Sequence, residues 1–183
     1  AEVGVQLHPW VNPPFDEVVN EANSYAGNLP QEMEAAKFTM LRDRIEEVFG
    51  VAPTSYRAGR YGVGPHTLDM IKRAGIRIDT SVRTLFDYSD QNGPDFSRHP
   101  AAPYWADSDR SLLELPLTSA YWGLFRKQGP TLHRLQRIMP TIFTAMPKFS
   151  LLERIALTPE GVSVEEALRG IDVALDDGIP LLV

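Results

Sequence analysis

Ser55-Tyr56-Arg57-Ala58-Gly59-Arg60-Tyr61-Gly62 is the stretch on which the reading of the fold turns. Two arginines and two tyrosines stand where an apolar strand is ending, and glycines are set among them. Upstream, a helical pattern closes over Ile45 to Phe49 with Gly50 in the place of a C-cap, and downstream Pro65 opens another helix. The stretch therefore reads as a strand over Thr54 to Arg57 running into a glycine-rich loop. In α/β sheets and barrels the carboxyl ends of strands are where ligand-handling groups are displayed, the position these side chains take. The same residues also fit a surface ion-pair loop, and the stretch by itself does not choose between the two.

Working outward, Val3, Val5 and Leu7 alternate with polar neighbours and form a strand that delivers His8 to its carboxyl end. Proline then keeps Pro9-Trp10-Val11-Asn12-Pro13-Pro14 extended, so that a histidine and a tryptophan are fixed at a strand mouth, or tucked against the core behind it. Residues 16 to 30 are polar and aperiodic, a long loop with one helical turn. From Gln31 to Phe49, Met33, Phe38, Leu41, Ile45, Val48 and Phe49 recur at helical spacing and are expected to face the core. Pro65 to Ala74 makes a short helix stopped by Gly75, and Ile76 to Val82 a third strand with its polar groups at the end. Strand, helix, strand, helix, strand implies parallel strands joined by right-handed crossovers, an α/β sheet or barrel.

Residues 83 to 110 form a long irregular excursion whose aromatics, Phe86, Tyr88, Phe96, Tyr104 and Trp105, suit either a sugar-stacking surface or anchors that pin the loop down. Leu112 to Thr118 reads as a fourth strand near whose end Pro116 sits, followed at once by Tyr121, Trp122 and Phe125. Helices are expected over Pro130 to Met139 and Ser163 to Leu175, the second opened by a Ser163 and Glu166 capping box, with short helical pieces around Pro140, Pro147 and Pro159 between them. Ile179 to Val183 is expected to be the fifth strand. Both ends begin or stop on apolar strand pattern, which suggests a segment of a longer protein.

The 183 residues, 43% hydrophobic and 23% charged, suffice for one domain. A net charge of −6 with no basic stripe argues against nucleic acid or an anionic membrane surface as partner, and no apolar run is long enough to span a bilayer. The absence of cysteine removes disulfides and thiolate metal sites, so any metal falls to His, Asp, Glu or Asn. The compartment stays open, with the cytoplasm ahead because no signal-peptide pattern is visible, and the oligomeric state is not legible.

There is no G-x-S-x-G elbow, Walker loop, H-E-x-x-H or G-x-G-x-x-G after a strand. Three segments in order do carry a resemblance: Glu2-Val3-Gly4-Val5-Gln6-Leu7-His8-Pro9-Trp10, then Tyr56-Arg57-Ala58-Gly59-Arg60-Tyr61-Gly62, then Ala74-Gly75-Ile76-Arg77-Ile78-Asp79-Thr80-Ser81-Val82. Their sequence and spacing resemble the polysaccharide deacetylase family, whose domains are called NodB-homology domains or family 4 carbohydrate esterases. The likeness covers residues 2 to 82, and beyond them only the layout through Glu114-Leu115-Pro116-Leu117 is similar.

That resemblance implies a distorted (β/α) barrel of parallel strands, incomplete at both termini, with residues 1 to 183 as one catalytic domain lacking its first and last barrel strands. It implies a hydrolase that removes N- or O-acetyl groups from a carbohydrate with a divalent metal, usually zinc, held by an aspartate and by two histidines four residues apart. His8 takes one ligand position and Asn12, four residues on, the other; aligning on Gly4 instead puts the two positions on Gln6 and Trp10. Arg57 is similar to the arginine that orients the catalytic aspartate, and Tyr61 to the tyrosine whose backbone helps build the oxyanion hole. Asp79 falls on the strand whose polar end supports that arginine. In such chemistry a metal activates water, a carboxylate takes the proton and a backbone N–H receives the developing charge. Trp10, Tyr121 and Trp122 are the candidate substrate-binding rings. The aspartate-bearing strand and the general-acid histidine of the family would lie before Ala1 and after Val183, so these residues alone are expected to be inactive. Two other readings stand beside this one: a non-catalytic carbohydrate-binding barrel that has lost its metal, and a glycosidase-like barrel using Glu114 with Asp79.

Overall fold

Val5 and Leu7 are buried while Gln6 between them is exposed, so β1 (Val5–Leu7) presents one face to a core and one outward. The same period-2 alternation shapes β2 (Ser55–Ala58), where Tyr56 and Ala58 are buried. The computed structural model describes residues 2–133, 135, 138–158, 161–179 and 181–183. The chain divides into two units, Ala1–Pro116 and Leu117–Val183.

In the first unit β1 is followed by α1 (Gln31–Phe49), β2, α2 (Thr67–Arg73), β3 (Ile78–Asp79), β4 (Tyr104–Trp105) and β5 (Leu113–Glu114). The strands lie in the order β1-β2-β3-β5-β4; the first four of these are mutually parallel and β4 joins the edge antiparallel to β5. The expected parallel α/β arrangement is therefore present, but the strands make an open mixed sheet, and among the described residues no closed barrel is formed. Beyond the two ladder residues of β3, the Arg77 N–H bonds to the Thr54 carbonyl at 2.8 Å and the Thr80 N–H to the Tyr56 carbonyl at 3.0 Å, which extends the expected third strand at both ends. Tyr104–Trp105 is a strand inside the excursion read as irregular; two residues are too few to show a period.

α1 spans the expected residues and ends where Gly50 adopts φ +72°, a left-handed conformation that costs glycine little. Its inward face departs from expectation. Phe38 is buried and Leu41 and Ile45 pack on the core, but Val48 and Phe49 are each 57% exposed, and two charged residues, Glu34 and Lys37, are buried in their stead. The core of the unit joins Val5, Leu7, Phe38, Tyr56, Ile71, Ile76 and Leu112, with the Phe38 and Tyr56 rings edge to face at 5.7 Å.

The excursion is pinned in place, one of its two sequence readings. Asn28 donates to the Asn92 carbonyl at 2.7 Å, Arg60 to the Gln91 side chain at 3.0 Å, and the Tyr25 hydroxyl to the same Gln91 oxygen at 3.3 Å. Arg83 lies over the Phe86 ring at 3.9 Å and donates to the Tyr88 hydroxyl at 2.7 Å.

In the second unit β6 (Ser119–Trp122) pairs antiparallel with β7 (Glu153–Ala156), a pair of strands that the sequence reading leaves out. Between them lie α3 (Gly129–His133) and α4 (Pro140–Ala145), and α5 (Val164–Asp176) packs on the two strands, with Gly170 against Ile155 and Leu157. The expected capping box is formed: the Glu166 N–H donates to Ser163 Oγ at 3.2 Å and the Ser163 N–H to the Glu166 carboxylate at 2.6 Å. The helix expected over Pro130 to Met139 is described only as far as His133 as a continuous helix, and Arg134, Gln136 and Arg137 lie outside the described residues. Pro159, expected among the short helical pieces, and Pro180, inside the expected fifth strand, also lie outside them. Of that strand, the Val183 N–H bonds the Thr118 hydroxyl at 2.9 Å, and the residues described on either side of Pro180 are not in a ladder.

Candidate functional site

The register of the sheet sorts its side chains into rows. Val5, Tyr56, Asp79, Glu114 and Tyr104 are successive partners across β1, β2, β3, β5 and β4, so they share one face. One residue further along, Gln6 is the partner of Arg57, and Thr80 follows Asp79; these lie on the opposite face. Core burial of Val5 and Tyr56 identifies the first face as the helix-covered one.

His8 and Arg57 belong to the second face, at the carboxyl ends of neighbouring parallel strands. Arg57 is half-buried and its Nε donates to Thr80 Oγ1 at 2.9 Å, while Thr80 Oγ1 in turn donates to the Tyr56 carbonyl at 3.2 Å. Among the described residues its two Nη groups hold no hydrogen bond or ion pair, which leaves a planar fork for an oxygen ligand. His8 lies against Gly59, the residue two after Arg57: a Cβ there would fall on the imidazole and on the Leu7 carbonyl, so only glycine lets ring and strand approach this closely. Trp10, 38% exposed, stands edge-on to the His8 ring at 4.9 Å. The structure thus places His8, with Trp10 beside its ring, at the end of the strand next to that of Arg57.

Arg60 and Tyr61 follow, both non-glycine residues at positive φ, +51° and +60°. Two adjacent left-handed residues are costly and persist where surrounding contacts hold them. Here the Arg60 guanidinium covers the Tyr25 ring at 4.4 Å and the Tyr61 ring lies near-parallel to Tyr88 at 6.0 Å, beside Arg83 at 5.3 Å. Tyr61 is therefore aimed by the pinned excursion.

Asp79 is not on this face. It and Glu114 are 0% and 1% exposed, and their side chains meet across β3 and β5. The Ser81 hydroxyl and N–H both donate to Asp79, the latter at 3.1 Å, and the Val82 N–H donates to Glu114 at 3.1 Å. Burial raises both carboxyls above their usual range, and with the Asp79 charge alongside, Glu114 is pushed up to about 10. The residue supporting Arg57 is Thr80, one position on from Asp79. A glycosidase pair needs carboxyls about 5 to 9.5 Å apart around a sugar, which this touching, buried pair does not offer.

The donor chemistry expected for zinc is incomplete. Asn12 Oδ1 is turned back to accept the His8 N–H at 3.0 Å, and the Asn12 carbonyl accepts from Lys37 at 2.7 Å. Gln6 and Trp10, the alternative positions, offer one exposed amide and an indole that has no lone pair for a metal. Among the described residues no group of three or more His, Asp and Glu is gathered to hold a metal. One imidazole with a committed amide does not fit a zinc site, which takes three or four protein ligands.

Tyr121 and Trp122 have roles internal to the second unit. Tyr121 is buried against Gly129 and lies 5.9 Å from the His133 ring, and Trp122 carries the Arg169 guanidinium over its face at 4.4 Å. Thr80, quoted only as part of the third segment, and Lys37 are given no role by the sequence. Alternation from buried Tyr56 and its partner Asp79 would have marked Thr80, and Lys37 sits three residues after Glu34 and one before Phe38 on the inward stripe of α1.

Comparison with models of protein families gives no match, and comparison with curated proteins gives none. Among solved structures, a protein from Mycobacterium smegmatis provisionally named a polysaccharide deacetylase is similar over 48% of this chain and 26% of its own, at 27% identity and a TM-score of 0.36. The chain thus spans about a quarter of that structure's length, and a superposition at this score carries no weight for fold or function.

Proposed function

We propose that the β1–β2 mouth binds an acetylated carbohydrate and that the chain is part of a polysaccharide deacetylase-like hydrolase. The observation that carries this reading is the shared face of His8 and Arg57 at adjacent parallel strand ends, with Trp10 beside them. In it, the Trp10 ring supplies an apolar surface for a sugar ring, and the Arg57 fork, held by Thr80, orients an acyl or carboxylate oxygen. His8 holds or moves a proton at its imidazole. The described residues do not gather the ligands of a metal.

The test is acetate release from an N-acetylated chitooligosaccharide by the full-length protein. Release that falls at least about tenfold in Arg57→Lys supports the reading, since lysine keeps the charge and loses the fork. No release from N- or O-acetylated sugars, with or without added zinc, overturns it.

A second reading, a non-catalytic carbohydrate-binding unit, is favoured by one observation, the commitment of Asn12 Oδ1 to the His8 amide. It predicts oligosaccharide binding that depends on Trp10 and no acetate release.

A further inference from the structure

Lys37 is 0% exposed, and its ammonium sits among oxygens drawn from one loop. It donates to the carbonyls of Pro9 at 3.0 Å, Asn12 at 2.7 Å and Pro14, and pairs with the Glu17 carboxylate at 2.8 Å, itself 5% exposed. The Phe15 ring lies 5.4 Å from the same nitrogen. An ammonium has three protons and no acceptor capacity, so these oxygens account for all of its donors and its charge together. Uncompensated, such a buried ion is strongly unfavourable, so the side chain and the loop must be ordered together.

We propose that Lys37 is a positioning residue: its ammonium acts as the resident cation of the 9–17 loop, the organising role a bound metal takes in other loops, and thereby fixes His8 and Trp10 at the mouth. The helix supplies the cation, and the proline-rich loop, which turns through a short 3-10 helix over Pro9–Val11 instead of staying extended as the prolines suggested, supplies carbonyls that no ladder can use. The loop's own bonds are few: the Val11 and Asn12 N–H groups reach the His8 carbonyl at 3.1 and 3.2 Å, and the His8 N–H reaches Asn12 Oδ1. Remove the ammonium and three carbonyls and a carboxylate face one another with nothing between them. The loop is held in this way whether or not the mouth acts on a sugar.

Amide hydrogen exchange of the intact chain tests it without any substrate. In Lys37→Met the His8, Val11 and Asn12 amides should exchange at least about tenfold faster, while α1 and the β1–β2 ladder keep their protection. Unchanged exchange at those amides, or an equal loss throughout α1 and the sheet, overturns the proposal. Should Lys37→Met fail to fold, Glu17→Gln, which removes the charge partner at the loop's far end, carries the same two outcomes. In Lys37→Ala, methylammonium should restore protection of the loop and tetramethylammonium, which has no N–H, should not; equal rescue by both, or by neither, also contradicts a hydrogen-bonding cation role.

Discussion

Tyr56 and Arg57 are adjacent in sequence, as are Asp79 and Thr80, yet each pair is divided between two faces of one sheet with opposite chemistry. On the helix-covered face, Asp79 and Glu114 are sealed from water and face each other across two strands. On the other, Arg57 Nε reaches Thr80, and among the described residues its two Nη groups hold no hydrogen bond or ion pair. A strand's period of two places display and burial one residue apart, and an alignment that slips by one position assigns the ligand-handling role to a structural carboxylate. The strand end expected to support Arg57 does so through Thr80, while Asp79, one residue before it, is buried on the other face.

The two faces should respond oppositely to substitution, and the largest effect belongs to the buried row. Glu114→Ala leaves Asp79 and the Val82 N–H without their partner in a dry site and should cost about 3 kcal/mol, read by urea unfolding. The carboxyls also set the pH dependence. Folding raises the Glu114 pKa from its ordinary 4.5 to about 10, so between those values the unfolded chain has released a proton that the folded one retains. Stability from this group is therefore fully present at low pH and is lost as pH rises across that window, with a limiting slope of about 1.4 kcal/mol per pH unit. Glu114→Gln cannot titrate and should flatten the alkaline limb of a stability curve; an unchanged limb would mean the pair does not hold the proton.

Thr80→Val, on the displayed face, should change stability by less than about 1 kcal/mol and weaken oligosaccharide binding by freeing Arg57 from its anchor. A stability loss matching that of Glu114→Ala would show that this face is core as well. Arg57→Lys should move stability least, within about 0.5 kcal/mol, because the side chain is half-buried and its fork has no partner among the described residues.

Much of the frame is visible in the sequence because local rules write it. Gly50 stops α1, the Ser163 and Glu166 pair opens α5, and the alternation of strands with helices gives parallel pairing. What escapes is set by residues far apart. Lys37 reads as a surface charge until the 9–17 loop brings it four oxygens from as far as 28 positions away. Ser119, Ala120 and Tyr121 are buried in succession, so β6 shows no alternation, and Tyr104–Trp105 is too short to show one. The resemblance implies a barrel lacking its first and last strands, and the described strands form an open mixed sheet, whose edge partners no local pattern encodes.

The most direct test is an amide and side-chain chemical-shift titration of this chain with an N-acetylated chitooligosaccharide. Shifts confined to His8, the Trp10 indole, Arg57 and Thr80, with Asp79, Glu114 and Ser81 unmoved, are the predicted result. Binding that shifts the buried row and spares His8 and Arg57, or no shift anywhere at millimolar sugar, would contradict the assignment of the mouth.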